Sequence, residues 1–305
     1  MGGGTFSTND YRTYSSSVRS KSQEEIYTSR AIDPLLDPKG VTLRESRDSA
    51  DNPLSTPIIV ALDVTGSMGA IAVEIAKSGL GTLFQGIFDR KPVSHPHLMF
   101  MGIGDALTDR APLQVSQFEA DNRIVGQLTK LWLEGNGGGN NHESYDFAWY
   151  FAGRHTAHDS LQKRGKRGYL FTVGDEEPPQ VLTRDQLQRV LGAAPETDCP
   201  SRQSLTEAQR LYDVFHVVIE QGNYCKGHDH RVKATWRELL GQRVIHLADY
   251  TLLAETVVSA IQVAEGADHA SAATGWGGSP GAQNIIGRAV SSLPRGVPAP
   301  RQLGT

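Results

Sequence analysis

The chain has 305 residues, 38% of them hydrophobic, with 30 Lys and Arg against 34 Asp and Glu and a formal net charge of −4. That length supports one large domain or two small ones with a proper core, and the near-balance of charge argues against a general nucleic-acid binder, which needs a basic surface to displace counterions. The longest apolar runs fall far short of a membrane span, no basic segment followed by an apolar one opens the chain, and Cys199 and Cys225 do not make a disulfide framework, so a reduced cytoplasmic protein without membrane or nucleic-acid partners is the expectation.

Residues 1–53 lack sustained periodicity and are rich in Ser, Thr, Tyr and charge, which reads as an extended N-terminal arm ending in the turn-prone Asn52-Pro53. PIIVAL (57–62) is a buried strand, and AIAVEIAKSGLGTLFQGIF (70–88) spaces its apolar residues as a helix does. HLMFMGI (97–103) is a second strand and PLQVSQF (112–118) alternates like a half-exposed edge strand. NRIVGQLTKLWL (122–133) places Ile124, Val125, Leu128, Leu131 and Trp132 on one helical face. SYDFAWYFAGRH (144–155) is helical, with Trp149, Tyr150 and Phe151 assigned to the core. GYLFTV (168–173) is a strand, QLQRVL (186–191) and LTEAQRLYD (205–213) are helical, and VFHVVIE (214–220) is a strand carrying a core His216. ATWRELL (234–240) is a helix, RVIHL (243–247) a short strand and TLLAETVVSAIQVA (251–264) a closing helix. From 265 to 305 the chain is rich in Gly, Pro, Ala and Ser, a composition that reads as a flexible tail. Apolar strands alternating with helices over 54–264 imply an α/β domain: a doubly wound, mostly parallel sheet with one antiparallel edge strand and helices on both faces. Ligands of such sheets gather outside the carboxyl ends of the strands.

The first strand ends in VALDVTGSMG (60–69), where Asp63, Thr65 and Ser67 stand two apart and Gly66 permits a tight wrap. A serine nucleophile on an elbow is one reading, with Ser67, Asp175 and then His228 or His230 in hydrolase order. The stretch departs from G-x-S-x-G at Thr65, however, and Asp63 and Thr65 separate the serine from its strand. A phosphoaspartyl enzyme wants a second acid where Thr65 stands, and the Gly-Lys-Ser/Thr of a P-loop is absent. A hard divalent cation, by contrast, uses every oxygen in the turn. Two more loops at neighbouring strand ends add donors. EGNGGGNNHES (134–144) carries Asn140, Asn141 and Glu143 into a helix, and GDEEPP (174–179) places Asp175 just past a strand, with Glu176 and Glu177 read as a solvated acidic lip. CKGHDH (225–230) offers Cys225, His228 and His230, but tetrahedral zinc wants a further ligand and wider pairing; a polar loop with a free thiol is the expectation.

On Asp63-Val64-Thr65-Gly66-Ser67-Met68 and on Asp175 after LFTVG, the stretch 54–264 resembles a von Willebrand factor A-type domain, a Rossmann-like fold with a metal-ion-dependent adhesion site, of the bacterial intracellular kind. The resemblance implies a divalent cation, Mg²⁺ first with Mn²⁺ or Ca²⁺ as alternatives, held by Asp63, Thr65, Ser67 and Asp175. Where the family usually supplies a second-loop threonine this chain has Glu143, so the ligand there is Glu143 or a neutral oxygen of Asn140 or Asn141. The resemblance further implies a binding module without catalytic residues. A partner's Asp or Glu would complete the ion's coordination, closure would shift the 251–264 helix, and an AAA+ ATPase of the MoxR type would be the partner. A serine hydrolase using Ser67, and an assembly protein with a purely stabilising ion, are the alternatives.

Overall fold

The apolar runs pair side by side into one sheet. A computed structural model describes residues 29–75, 80–134, 140–193, 195–276 and 278–296. Residues 1–28 of the expected arm, 76–79 of the expected 70–88 helix, 135–139 of the glycine-rich loop and 297–305 of the expected tail lie outside the described residues. The strands are β1 (Arg44–Ser46), β2 (Thr56–Asp63), β3 (Pro96–Ile103), β4 (Leu113–Val115), β5 (Thr156–His158), β6 (Gly168–Gly174), β7 (Val181–Leu182), β8 (Cys199–Pro200), β9 (Tyr212–Ile219) and β10 (Val244–Leu247). The main sheet runs β10-β9-β6-β2-β3-β4, parallel throughout except for β4, which lies antiparallel on β3. The chain starts the sheet in its middle at β2, builds outward to β4, then returns to lay β6 on the other side of β2. Order therefore reverses between β2 and β6, and the crevice outside their carboxyl ends is where such sheets place ligands. Asp63 closes β2 and Asp175 follows β6 directly.

Alternation along β2 shows why both faces are covered. Ile58, Val60 and Leu62 pack into one apolar cluster, with residues of α1 (Ala70–Glu74), α2 (Leu80–Arg90) and α3 (Arg123–Leu128). Ile59 and Ala61 pack into the other, with Trp149 of α4 (Tyr145–Arg154) and residues from beyond α5 (Asp159–Arg164): Leu187 of α6 (Arg184–Leu191), Ala208 of α7 (Ser201–Leu211) and Trp236 of α8 (Asn223–Leu240). Trp149 and Phe151 are fully buried and Tyr150 nearly so, and His216 is a core residue, its Nδ1 2.8 Å from the Thr172 hydroxyl.

The two ends of the chain differ from their expected form. From residue 29 the arm is docked: β1 pairs in parallel with β5, Arg47 meets Asp159 at 2.8 Å, and Arg164 meets Asp48 at 2.7 Å. The charges of the expected arm are thus complementary to those of α5. At the other end the expected tail forms α10 (His269–Thr274) and α11 (Pro280–Val290), folded over α9 (Leu253–Ala264). The cause is α9 itself, apolar around most of its circumference, with Val257, Val258, Ala260 and Val263 all buried. The Ser259 hydroxyl donates to the Ala272 carbonyl at 2.9 Å and the Trp276 indole N–H donates to Ser259 Oγ at 2.8 Å. Arg90 of α2 lies 4.2 Å from the Trp276 ring centroid. Among the described residues no helix is long and apolar enough to cross a membrane.

Candidate metal centre

The first loop folds around Asp63. Its Oδ1 accepts from the Thr65 amide at 2.9 Å and from the Thr65 hydroxyl at 2.6 Å, while its Oδ2 accepts from the Tyr145 hydroxyl at 2.9 Å. Gly69, at φ 51°, lets the chain turn directly from this loop into α1. The Ser67 hydroxyl donates to Asp175 Oδ1 at 2.8 Å and stands 3.2 Å from the Thr65 hydroxyl oxygen. A hydroxyl has one proton. With both protons directed at carboxylates, the two oxygens turn lone pairs toward each other, an arrangement suited to a cation.

Asp175 joins this loop to α8. Its Oδ2 accepts from the backbone amides of Tyr224 at 2.8 Å and Cys225 at 3.3 Å, and the Asn223 amide donates to the Ser67 carbonyl at 3.1 Å. The close fit requires glycine at two points: a Cβ at Gly174 would overlap the Tyr145 hydroxyl, and one at Gly222 the Asp175 carboxylate. The second loop brings in Glu143, 2% exposed, against the Thr65 hydroxyl. Its Oε2 is buried without a hydrogen-bond partner. Asn140 is held elsewhere, its Nδ2 donating to Asp105 Oδ2 at 2.8 Å; Asn141 occupies a left-handed φ of 63°. The structure thus gathers Asp63, Thr65, Ser67, Glu143 and Asp175 into one cup and sets Asn140 on its flank.

Burial dominates the electrostatics. It raises the Asp63 carboxyl well above its ordinary range, the Asp175 charge adding to the effect and the Thr65 and Tyr145 hydrogen bonds opposing it. Glu143 is raised by burial and then by Asp63, Glu176 and Asp105, all acids. Glu176 is pushed up to about 7, by burial first and Asp175 second. The expected solvated lip is corrected here: Glu176 and Glu177 are both buried. The Trp236 indole N–H donates to the Glu176 carbonyl at 2.9 Å, and Arg231 pairs with Glu177 at 2.7 Å, which draws the third loop under α8.

Tyr145 and Asp105 escaped the sequence reading. Tyr145 is fully buried and edge-on to His216 and Trp236, so its ring looks like core while its hydroxyl serves Asp63. Asp105 receives the Leu107 amide, the Thr108 hydroxyl and Asn140, ordering the turn after β3; the Asp-x-x-Thr spacing was a signal for it.

CKGHDH is not a loop but the opening turns of α8, with non-helical dihedrals at His228. Cys225 is a buried free thiol, pushed up to about 12 chiefly by burial. His228 stacks on Tyr224 with its Nδ1 3.1 Å from the Tyr224 carbonyl. Ser67 is thus hydrogen-bonded to an acid, and His228 is engaged with Tyr224. Among the described residues no three His, Cys, Asp or Glu side chains form a self-sufficient metal site; the cup mixes carboxylates with hydroxyls. That donor set fits a hard cation, which takes oxygen ligands of both kinds.

No family model and no curated protein matches this chain. Among solved structures it is similar to the pilus adhesin SpaC of Lactobacillus rhamnosus GG in its open conformation, at 8% identity and TM-score 0.46, covering 73% of this chain and 31% of that one. A second structure of SpaC is similar at 8% identity and TM-score 0.41, covering 74% of this chain and 32% of that one. A von Willebrand factor type A protein of Catenulispora acidiphila is similar at 15% identity and TM-score 0.38, covering 68% of this chain and 42% of that one. This chain spans about a third of the length of the adhesin.

Proposed function

We propose that the chain is a protein-binding module whose hold on its partner depends on a divalent cation at the carboxyl ends of β2 and β6. The observation that carries this reading is Glu143: a buried acid surrounded by acids, with one carboxylate oxygen lacking a partner. An ionised carboxylate buried among acids is costly, so Glu143 either holds a proton or stands beside a counter-charge, and a cation in the cup supplies the latter. Thr65 and Ser67 supply hydroxyl oxygens, Glu143 a carboxylate, and Asp63 and Asp175 orient those hydroxyls and balance the charge. Mg²⁺ is the first choice, with Mn²⁺ and Ca²⁺ able to use the same oxygens. The bound ion supplies a positive centre to which a partner's Asp or Glu attaches. The resemblance of the DVTGS loop to von Willebrand factor A-type domains supports the adaptor role and suggests an AAA+ ATPase of the MoxR type as the partner. Co-purification from the native cell, with and without a chelator, tests it. A partner retained in Mg²⁺ and lost in chelator is expected; a partner equally retained in both would remove the ion from the interaction.

A further inference from the structure

Building on the metal reading above, the carboxylates of the cup divide into two kinds. Asp63 and Asp175 have both oxygens engaged: Thr65 and Tyr145 donate to Asp63, and Ser67, Tyr224 and Cys225 donate to Asp175. Glu143 keeps its buried Oε2 free. Its backbone is also fixed. The Glu143 amide donates to the Glu177 carbonyl at 3.0 Å, and the next amide, Ser144, donates to the Gly104 carbonyl at 3.2 Å. The residue is therefore clamped between the end of β3 and the loop after β6, with its side chain inside the cup and away from solvent.

We propose that Glu143 is a direct ligand that supplies from within the chain the carboxylate a partner would otherwise supply, waters filling the remaining positions, so that a carboxylate from outside binds firmly only when it displaces Glu143. Charge gives the consequence. A divalent ion balances two of Asp63, Asp175 and Glu143 and leaves one negative charge in excess. Glu176, lying against Ser67, adds another. An arriving carboxylate then meets a negative site, where repulsion is strengthened by the low dielectric of a buried cup. Such a cup holds its ion firmly and takes an acidic partner only when Glu143 gives way. Partner capture is thereby made conditional on displacing the Glu143 side chain.

The test uses the full chain, Mn²⁺ as the ion and acetate as the carboxylate probe. Free Mn²⁺ is followed by electron paramagnetic resonance, and water bound to the ion by proton relaxation. The wild type is expected to bind Mn²⁺ with a relaxation that acetate leaves unchanged. Glu143→Ala is expected to bind about tenfold or more weakly, to show greater relaxation per bound ion, and to lose that gain when acetate is added. Glu143→Gln keeps the shape and removes the charge. It should weaken Mn²⁺ in the same direction, and it carries the test if the alanine variant fails to fold. Equal Mn²⁺ affinity and relaxation in wild type and variants would show that Glu143 is not a ligand. Acetate acting on the wild type as on Glu143→Ala would show that it does not take the place of a partner's carboxylate. Failure of the wild type to bind Mn²⁺ at all would instead remove the metal reading on which the proposal rests.

Discussion

Asp63 has no oxygen to spare, and its position depends on groups that hold it from behind. Tyr145 reaches it from α4 at 2.9 Å, across the crevice between β2 and β6. Hydrogen bonds that orient the groups around a metal are worth roughly 10–100-fold in affinity when lost. Tyr145→Phe keeps the ring against His216 and Trp236 and removes the hydroxyl alone. It should weaken divalent-metal binding by about that factor, while metal-free stability falls by about 1–3 kcal/mol as the buried Asp63 Oδ2 loses its donor. Metal titration beside urea denaturation separates the two; unchanged affinity would make Tyr145 a packing residue only. The first-loop spacing made the clustering of Asp63, Thr65 and Ser67 legible in the sequence, because three oxygen-bearing side chains two apart follow a buried strand directly. Tyr145 was not legible, since an aromatic residue within YDFAWYF carries the same signal whether or not its hydroxyl has a task.

The helices that flank the cup are not equivalent. α8 begins on the Asp175 carboxylate and the Ser67 carbonyl, whereas α9 is covered by α10 and α11. The strands were readable because continuous apolar runs such as PIIVAL have few alternatives. α10 and α11 were not readable from composition because their buried residues are mostly small: Ala272, Ala273 and Ala289 beside Ile286 and Val290. Their caps were present in the sequence all the same, Asp268 accepting from the Ala270 and Ser271 amides and Ser279 from Ala282 with Pro280 in the first turn. Removing everything after Ala264 should therefore expose the apolar outer side of α9, with loss of solubility and a lower melting temperature. Trp276→Ala, which removes a half-buried indole and its bond to Ser259, should cost about 2–3 kcal/mol in urea denaturation. A truncated chain as stable as the full one would return the segment to the status of a tail.

Across the whole molecule the acids of the cup set how stability follows pH. Asp63 and Glu143 are raised, Glu176 is raised to about 7, and Asp146, fully buried and bonded to Ser201, is likewise raised to about 7 by burial. Between their ordinary values of about 4 and these raised ones, the folded state holds protons that the unfolded state has released. Stability then falls as pH rises. The buried His97 and His158, both lowered to about 4, act oppositely, but only below their ordinary value of about 6.5. From pH ~6.5 to ~8.5 the acids alone remain, and the chelated protein should lose up to about 1.4 kcal/mol per pH unit for each proton difference. Metal requires the deprotonated acids, so its affinity rises with pH, and saturating Mg²⁺ should flatten or reverse the slope. Melting curves across this window, with chelator and with Mg²⁺, check it; the same falling slope in both would place the raised acids outside any metal site. At this scale the sequence made the doubly wound sheet and the meeting of its loops legible, since β2 and β6 are the strands on which order reverses. The burial of Glu176 and Glu177 depends on α8 folding over the third loop, a long-range contact that no local pattern announces.

The most direct measurement is a calorimetric titration of Mg²⁺, Mn²⁺ and Ca²⁺ into the wild type and into Asp63→Ala. Burial first and the Asp175 charge second raise Asp63, so its removal relieves repulsion but leaves the Thr65 amide and the Tyr145 hydroxyl without their acceptor; the metal-free fold should be retained with a modestly lower melting temperature. One ion bound per wild-type chain, and none bound by a folded Asp63→Ala protein, is the expected result. Equal binding by the two proteins, or no binding by the wild type, would contradict a metal centre at the β2 and β6 strand ends.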